Sequence, residues 1–206
     1  MRQVEEFKSL FPVGRFDTVV VDTQGDKDKV TPLSRVEGSD FFTRQIDEAL
    51  LAGTIDCALH SSKDVPDILP RGLKLLIETR SISPFDALVS CGNYSLVKLP
   101  RSSRIGTSSI RRKAQISEIR PDLEVVEIRG TIEERLILLD VRRIDALVVA
   151  HAALMRLGLL ARCAEVLPLD IFPTHPKQGS LSLITREDIC EKVKSILLAQ
   201  GPATGN

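Results

Sequence analysis

The segment Gly106 to Arg112 (GTSSIRR) constrains the fold of this chain most, because it is typical of the point where a buried strand passes into a helix. Apolar Ile105 precedes it, Thr and Ser are favoured at helix N-caps, and Pro121 ends the helix that we predict over residues 110–120. The first N–H groups of such a helix have no internal partner and carry positive potential, so they attract anions. We therefore predict an anion site in this segment. Its residues are Thr107, Ser108, Ser109, Arg111 and Arg112.

The residues of this segment leave two arrangements open. Adjacent helical residues point about 100° apart, so Arg111 and Arg112 cannot share one face, and one could line a cleft while the other reaches around its rim. A capped helix with two solvent-exposed arginines and no ligand would give the same sequence.

A second segment also combines a predicted buried strand with polar residues directly after it. Residues Ile55 to Leu59 are predicted as a buried strand, and polar residues follow directly in His60 to Pro66 (HSSKDVP). Ligands of α/β proteins bind beyond the carboxyl ends of strands, so Ser61, Lys63 and Asp64 are candidate site residues. A turn with a solvated Lys63, in which Asp64 caps a helical turn, would also fit this segment.

Further arginines follow two other predicted strands. Arg129 and Gly130 precede a capping threonine, Arg135 lies one helical turn later, and Arg156 follows the apolar run 146–150. A guanidinium group binds a carboxylate through two parallel hydrogen bonds. The arginines together therefore predict a ligand with several carboxylates.

The periodicity of the chain predicts an α/β fold of two similar lobes. We predict strands over residues 16–22, 55–59, 73–77, 86–90, 123–128, 145–150 and 180–184, and helices over 4–10, 42–50, 110–120, 131–139 and 187–198. The segments Ile55 to Leu59 and Ile144 to Val148 repeat one Ile-Asp-x-apolar pattern. We expect mixed sheets flanked by helices, with residues 1–82 plus 177–206 in the first lobe and 83–176 in the second. A two-strand hinge would join the lobes and let a ligand close them.

Five segments of the chain resemble the hydroxymethylbilane synthase family, also called porphobilinogen deaminase. They occur in the family's order and extend over nearly the whole chain. The segments are Ala58 to Pro66, Ile105 to Arg112 with Gln115, Arg129-Gly130 with Arg135-Leu136, Leu154 to Leu160, and Pro173 to Ser180 with Gln178-Gly179.

This resemblance implies an enzyme that condenses four porphobilinogen molecules head to tail, with loss of ammonia at each step. Each pyrrole carries an acetate and a propionate, which explains the need for many arginines. Asp64 matches the family's catalytic aspartate, which would hydrogen-bond pyrrole N–H groups and stabilise the positive charge that forms as ammonia leaves. Gln178 joins the arginines, Ser61 and Lys63 as an expected substrate or cofactor contact. The expected fold is similar to that of periplasmic binding proteins.

Three departures from the family pattern affect this expectation. The chain begins inside the helix that follows the family's Arg-x-Ser-x-Leu-Ala motif, so one strand and two ligand contacts are expected to be absent. Glu37 to Phe42 replaces a Gly-Gly-Lys-Gly-Leu-Phe loop, which predicts weaker anion binding there. The family's carboxyl-terminal domain, whose cysteine tethers a dipyrromethane cofactor, is expected to be absent. The cysteines present, none of them in the attachment motif, are Cys57, Cys91, Cys163 and Cys190.

Composition limits the other classes of function. Lysine plus arginine and aspartate plus glutamate number 28 each, and the chain has one Tyr and no Trp, so nucleic-acid binding is not expected. No apolar run approaches 18 residues and the first helix carries acids, so we expect a cytoplasmic protein without a membrane span or signal peptide. Four dispersed Cys and three His predict no metal site. The expected state is a monomer whose partners are porphobilinogen and polypyrrole intermediates.

A binding protein without catalytic activity is the alternative that the residues leave open. Two hinged lobes with helix N-termini directed at an anion also describe small-anion receptors. Asp64 weighs against a pure carboxylate receptor, because a carboxylate among arginines would repel the ligand. Its presence favours a ligand with N–H donors, such as a pyrrole.

Overall fold

The computed structural model describes residues 1–11, 15–23 and 43–199. The described residues form two compact units. The first unit contains the described parts of 1–23, 43–81 and 180–199, and the second contains 82–179. The prediction for Glu37 to Phe42 lies outside the described residues.

The elements are named in chain order. The helices are α1 (Arg2–Ser9), α2 (Arg44–Leu51), α3 (Ile110–Ile119), α4 (Ile132–Asp140), α5 (His151–Leu157) and α6 (Cys190–Ala199). The strands are β1 (Cys57–Ser61), β2 (Leu73–Glu78), β3 (Asp86–Ser90), β4 (Arg104–Gly106), β5 (Glu124–Val126), β6 (Ala146–Ala150), β7 (Glu165–Leu167) and β8 (Leu181–Arg186). Short 3₁₀ turns cover Ser62–Asp64, Leu96–Lys98, Leu160–Arg162 and Glu187–Ile189.

The first unit contains a three-stranded sheet in the order β1-β8-β2. Strand β8 is central and pairs antiparallel with both neighbours, with a bulge in β2 between Leu75 and Ile77. Because successive strand residues point to opposite faces, β8 contributes to a core on each side. Leu183 packs with Phe7 of α1 on one face, and Ile184 packs with Leu50 of α2 on the other.

The strand predicted over residues 16–22 is wrong. Residues 15–23 form no regular element, and Val19 and Val20 are 63% and 70% exposed. A strand needs a neighbour that pairs with its backbone groups, and an apolar run alone does not supply one. The Nζ of Lys8 instead donates to the carbonyl of Phe16 at 3.0 Å and to Oγ1 of Thr18 at 2.7 Å.

The second unit contains a mixed five-stranded sheet in the order β5-β4-β6-β3-β7. Strand β4 is parallel to β5 and β6, whereas β3 is antiparallel to β6 and β7. Helix α3 covers one face through Ile116, and α4 and α5 cover the other through Leu136 and Leu154. The predicted α/β class, with mixed sheets and flanking helices, is confirmed.

The topology of this sheet brings several polar segments to one edge. Strands β4 and β6 run parallel, so the residues after Gly106 and after Ala150 lie at the same edge. Strand β3 runs the opposite way and begins there, with Asp86 paired to Ala150. The start of β3 and the starts of α3 and α5 therefore meet at one edge of the second unit.

Candidate anion-binding site

A buried carboxylate forms the centre of the site in the second unit. Asp86 is 0% exposed and accepts hydrogen bonds from three side chains. Nη2 of Arg111 lies 2.9 Å from Oδ2, while Nε and Nη2 of Arg112 lie 3.0 and 2.7 Å from Oδ2 and Oδ1. Nε2 of Gln178 donates to Oδ1 at 2.9 Å. Two predicted arginines and the predicted glutamine therefore share one acid that the sequence analysis did not select.

The two arginines of α3 differ in exposure. The side chain of Arg112 is 8% exposed, and its Nη1 lies 3.4 Å from the carbonyl of Val148. The side chain of Arg111 is 31% exposed and also donates to Gln115 and to the carbonyl of Pro173. Neighbouring helical residues do leave in different directions, but arginine is long enough for both guanidinium groups to reach Asp86. Only Arg111 keeps substantial contact with solvent.

The protonation of Asp86 is controlled by these two arginines. Burial alone raises the pKa of its carboxyl group, but the charges and hydrogen bonds of Arg112 and Arg111 outweigh burial, and the pKa is lowered. One negative charge thus faces two positive charges. The local balance remains cationic, which suits an anionic ligand.

The start of α3 is not closed by a side chain. Ser109 occupies the N-cap position but makes no side-chain capping bond, and the buried Thr107 instead accepts from the backbone N–H of Ser109 at 3.3 Å. Gly106 fits tightly, because an added Cβ would lie 2.7 Å from Cδ1 of Ile128 and 3.0 Å from Cδ1 of Ile144. The first N–H groups of α3 keep their capacity to bind an anion.

The start of α4, in contrast, is closed. Thr131 and Glu134 form a capping box, with the N–H of Glu134 donating to Oγ1 of Thr131 at 3.2 Å and the N–H of Thr131 donating to Oε2 of Glu134 at 2.8 Å. The preceding Gly130 has a φ of +100°, where a side chain would be strained and would meet Glu134. What this turn offers a ligand is therefore its arginines rather than its amide groups.

Arg135 joins the cationic group. Its Nε donates to the carbonyl of Gly130 at 2.9 Å. Burial, together with the positive charges of Arg112 and Arg129, lowers the pKa of its guanidinium to about 10, against the opposing effect of Glu134. Charges that perturb one another lie close together. Arg112, Arg129 and Arg135 therefore form one cluster, which with Arg111 and Asp86 we call the arginine cluster.

Arg156 and Gln178 lie next to the arginine cluster. Nη2 of Arg156, on α5, donates to the carbonyl of Gly179 at 2.8 Å. The adjoining Gln178 is 1% exposed and also donates to the carbonyls of Pro84 and Phe85. These bonds fix the segment around Gln178 against the start of β3.

The candidate residues of the first unit follow β1. Ser61 accepts a hydrogen bond from Nε2 of Gln3 at 2.6 Å. Lys63 and Asp64 lie in the 3₁₀ turn, where Lys63 is half-buried and Asp64 is exposed. The turn is anchored by the buried Ser62, whose Oγ accepts from Ser182 at 2.8 Å. The carboxylate of Asp64 is thereby presented to solvent from a fixed backbone.

His60, immediately before this turn, was not selected from the sequence. Its side chain is buried, and its Nε2 has no hydrogen-bond partner among the described residues. Burial lowers the pKa of the imidazole to about 4. The ring is neutral at pH 7.

The thiols of the chain do not form an activated group. Burial raises the pKa of Cys57 and of Cys163, which disfavours the nucleophilic thiolate. Cys190 is buried, and the thiol of Cys91 donates to the carbonyl of Leu139 at 3.4 Å. Among residues 1–11, 15–23 and 43–199, no group of three or more His, Cys, Asp or Glu side chains could hold a metal ion. No helix in these ranges is long and apolar enough to cross a membrane.

Comparison with known proteins gives consistent matches. The family model described as "Porphobilinogen deaminase, dipyromethane cofactor binding domain" matches residues 1–194. The porphobilinogen deaminase of Geotalea daltonii is 40% identical over 199 residues, covering 97% of this chain and 62% of that protein. That of Syntrophotalea carbinolica is 42% identical over 183 residues, covering 89% of this chain and 58% of that protein. The chain spans about three-fifths of the length of these relatives.

Among solved structures, the chain is similar to a methionine-binding protein, MetQ, with a TM-score of 0.48 and 17% identity over 77% of this chain and 74% of that one. A substrate-binding protein of a polar amino acid ABC transporter from Streptococcus thermophilus gives a TM-score of 0.47 and 17% identity, over 76% of this chain and 61% of that one.

Proposed function

The chain belongs to the porphobilinogen deaminase family, and we propose that it carries the pyrrole-binding and catalytic residues of a hydroxymethylbilane synthase reaction. In this reaction four porphobilinogen molecules are joined head to tail and each loses ammonia. A cytoplasmic location and a monomeric state are part of the same proposal.

The arginine cluster is the observation that carries this proposal. Arg111 and Arg112 bind a single buried acid, Arg135 interacts electrostatically with Arg112 and Arg129, and the adjacent start of α3 has no side-chain cap. Each added pyrrole brings an acetate and a propionate, so a growing product needs positive charge that is already fixed in position. Guanidinium groups held by Asp86 and Gln115 meet that need without further ordering.

Within the cluster the arginines have different tasks. Arg112 is buried and bound to both oxygens of Asp86, so it holds the start of α3 against β3. Arg111 is the more exposed of the two and can bind a ligand carboxylate while keeping its bond to Asp86. Arg135 is cationic at pH 7 despite its lowered pKa, and a bound anion would relieve its repulsion by Arg112 and Arg129.

Asp64 is the proposed catalytic carboxylate. Its carboxylate accepts hydrogen bonds from pyrrole N–H groups and stabilises the positive charge that develops when the aminomethyl nitrogen leaves as ammonia. The exposure of Asp64 leaves this carboxylate available to a ligand, and the bonds of Ser62 to β8 fix the turn that carries it. A fixed acceptor of this kind contributes about 3–4 kcal/mol to the stabilisation of a transition state.

The dipyrromethane cofactor of the family fits the described residues in one respect. Its carboxylates suit the arginine cluster, and the cofactor supplies the chain end to which new pyrroles are added. The thiols do not fit a thioether link, because Cys57 and Cys163 have raised pKa values, Cys190 is buried, and the thiol of Cys91 donates to the carbonyl of Leu139. We propose that Arg111, Arg129 and Arg135 hold its carboxylates and that no cysteine of this chain is its attachment point.

A binding protein without turnover is the second candidate. The raised pKa values of Cys57 and Cys163 favour it, because they make these thiols weaker nucleophiles, and pyrrole carboxylates could bind the arginine cluster without a covalent link. In this case the arginine cluster would act alone, and Asp64 would serve only to accept hydrogen bonds from the ligand.

The experiment is an assay of porphobilinogen consumption by the whole chain, with and without added dipyrromethane, for the wild type and Asp64→Asn. We expect the wild type to consume porphobilinogen. Asp64→Asn should fold normally but lose about a hundredfold or more in rate, because the carboxylate that it lacks stabilises positive charge in the transition state. Asp67→Asn, a neighbouring exposed acid in the same loop, serves as the matched control and should keep the wild-type rate.

The outcomes separate the two candidates. An intact mass that is unchanged after incubation with dipyrromethane agrees with non-covalent binding. Binding of porphobilinogen without consumption supports the second candidate, and full activity in Asp64→Asn would refute the role of this residue.

A further inference from the structure

A cavity lies in the same unit as the arginine cluster. It has a volume of about 250 Å³, and its walls include Cys91, Tyr94, Arg101, Ser102, Arg142 and Asp145. These residues lie after the end of β3 and before the starts of β4 and β6. The arginine cluster occupies the start of β3 and the ends of β4 and β6, so the two features lie at opposite edges of the five-stranded sheet.

The acid that lines this cavity is paired, whereas two arginines that line it make no hydrogen bond through their guanidinium groups within the described residues. The carboxylate of Asp145 is bound by Arg104, whose backbone N–H and Nε lie 2.8 and 3.2 Å from Oδ2. Arg104 also donates to the carbonyl of Arg142 at 2.7 Å, which fixes the backbone there. Within the described residues the guanidinium groups of Arg101 and Arg142 make no hydrogen bond, although Asp122 lies near Arg101 and Asp145 near Arg142. Two cations therefore face a cavity whose one acid is already paired.

The backbone around the cavity is strained in an unusual way. Among the described residues three non-glycine residues have positive φ, namely Asn93 (58°), Ser102 (59°) and Arg142 (58°). Two of them line the cavity and the third adjoins it. For Ser102 and Arg142 this conformation costs about 1 kcal/mol or more, whereas asparagine adopts it more readily, and such strain is concentrated at functional sites.

Arg142 shows most clearly that the side chain is retained despite this strain. It lies just beyond the end of α4, with its N–H donating to the carbonyl of Leu139 at 3.0 Å and the N–H of Arg143 donating to Leu138 at 2.8 Å. Glycine is the favoured residue at this position after a helix. Arginine here has a cost in backbone energy, and its guanidinium lines the cavity.

We propose that this cavity binds a small molecule carrying carboxylate or phosphate groups, through Arg101, Arg142 and the hydroxyl group of Ser102. The ring of Tyr94, 44% exposed, forms the apolar wall of the site. This site is separate from the arginine cluster and does not depend on the proposed reaction.

The chain offers a direct probe of this cavity. Tyr94 is the single tyrosine and there is no tryptophan, so intrinsic fluorescence excited above the phenylalanine band reports on Tyr94 alone. The experiment titrates the whole protein with succinate in one arm and with inorganic phosphate in the other, at constant ionic strength. We expect a saturable change in tyrosine emission in at least one arm, and the arm that responds identifies the anionic group.

Two variants test the assignment. Arg142→Gly should lower the affinity about tenfold or more, because it removes a charged hydrogen-bond donor, and its melting temperature should equal or exceed that of the wild type because the strain is relieved. Asn93→Gly relieves the same kind of strain beside the cavity without removing a charge, and should bind as the wild type does. Arg143→Ala removes an adjacent exposed charge outside the cavity and should also bind normally.

The proposal has clear contrary outcomes. No saturable change with either anion in the wild type would overturn it. An equal loss of affinity in Arg142→Gly and Arg143→Ala would show that binding depends on net positive charge and not on the cavity. That result would overturn the proposal as well.

Discussion

At the scale of single residues, the site depends on one acid that compensates two arginines. Asp86 is completely buried, yet it stays ionised because Arg111 and Arg112 donate to it. The sequence contains a signal for this residue, since Asp86 is a single acid beside the apolar run 87–89. Its partners lie 25 and 26 positions away in the chain, and no local pattern indicates which arginine would reach it.

Replacement of Asp86 by asparagine should be strongly destabilising. It leaves Arg112 buried with no opposing charge, and loss of one partner of a buried ion pair costs about 3–5 kcal/mol in the free energy of unfolding. Urea denaturation at pH 7 measures the change. Asp140→Asn is the matched control, because Asp140 pairs with Arg162 on the surface, where such pairs contribute about 0–1 kcal/mol.

The same replacement should also change the pH dependence of stability. The folded-state pKa of Asp86 is lowered below the unfolded value of about 4, so its contribution is present above that value and is lost as the pH falls through the folded pKa. The difference between wild type and Asp86→Asn should therefore narrow in acid. A difference that is constant from pH 7 down to pH 2 would contradict the ionised, arginine-bound state of Asp86.

At the scale of elements, the two polar helix starts of the second unit turn out to be built differently. Both follow a strand with glycine and Thr or Ser, so the sequence predicts the same arrangement for each. Thr131 caps α4 through a full capping box, whereas Ser109 leaves α3 without a side-chain cap. The difference arises because the third residue of α4, Glu134, bonds back to Thr131, whereas the third residue of α3 is Arg112, which binds Asp86 instead.

This difference predicts that two similar substitutions change the free energy of unfolding by unequal amounts. Thr131→Ala should lower the free energy of unfolding by about 1 kcal/mol, because a hydrogen-bonded cap is lost. Ser109→Ala should change it by less than about 0.5 kcal/mol, because no capping bond exists to lose. Thermal or urea unfolding of both variants tests this, and an equal loss of stability in the two would show that Ser109 does cap α3.

At the scale of the whole molecule, the sequence predicted strands correctly where an apolar run also has a neighbouring strand to pair with. The strand predicted over 86–90 was placed correctly, and β1 and β6 both begin directly after the acid of the repeated Ile-Asp pattern, at Cys57 and Ala146. Residues 16–22 show the converse, because their apolar character indicated a strand, but they pair with no strand among the described residues. The balance of acidic and basic residues gives no sign of the arginine cluster, which the sequence indicated only through the positions of its arginines after predicted strands.

The binding of porphobilinogen to Arg111→Gln and Lys113→Gln, measured by titration calorimetry against the wild type, tests the role of the arginine cluster most directly. Both variants remove one positive charge from α3, but Arg111 belongs to the cluster and Lys113 is exposed outside it. We expect Arg111→Gln to weaken binding by about tenfold or more, since a charged hydrogen bond contributes about 1.5–3 kcal/mol, and Lys113→Gln to bind as the wild type does. Equal affinities for all three proteins, or no binding to the wild type, would contradict the account.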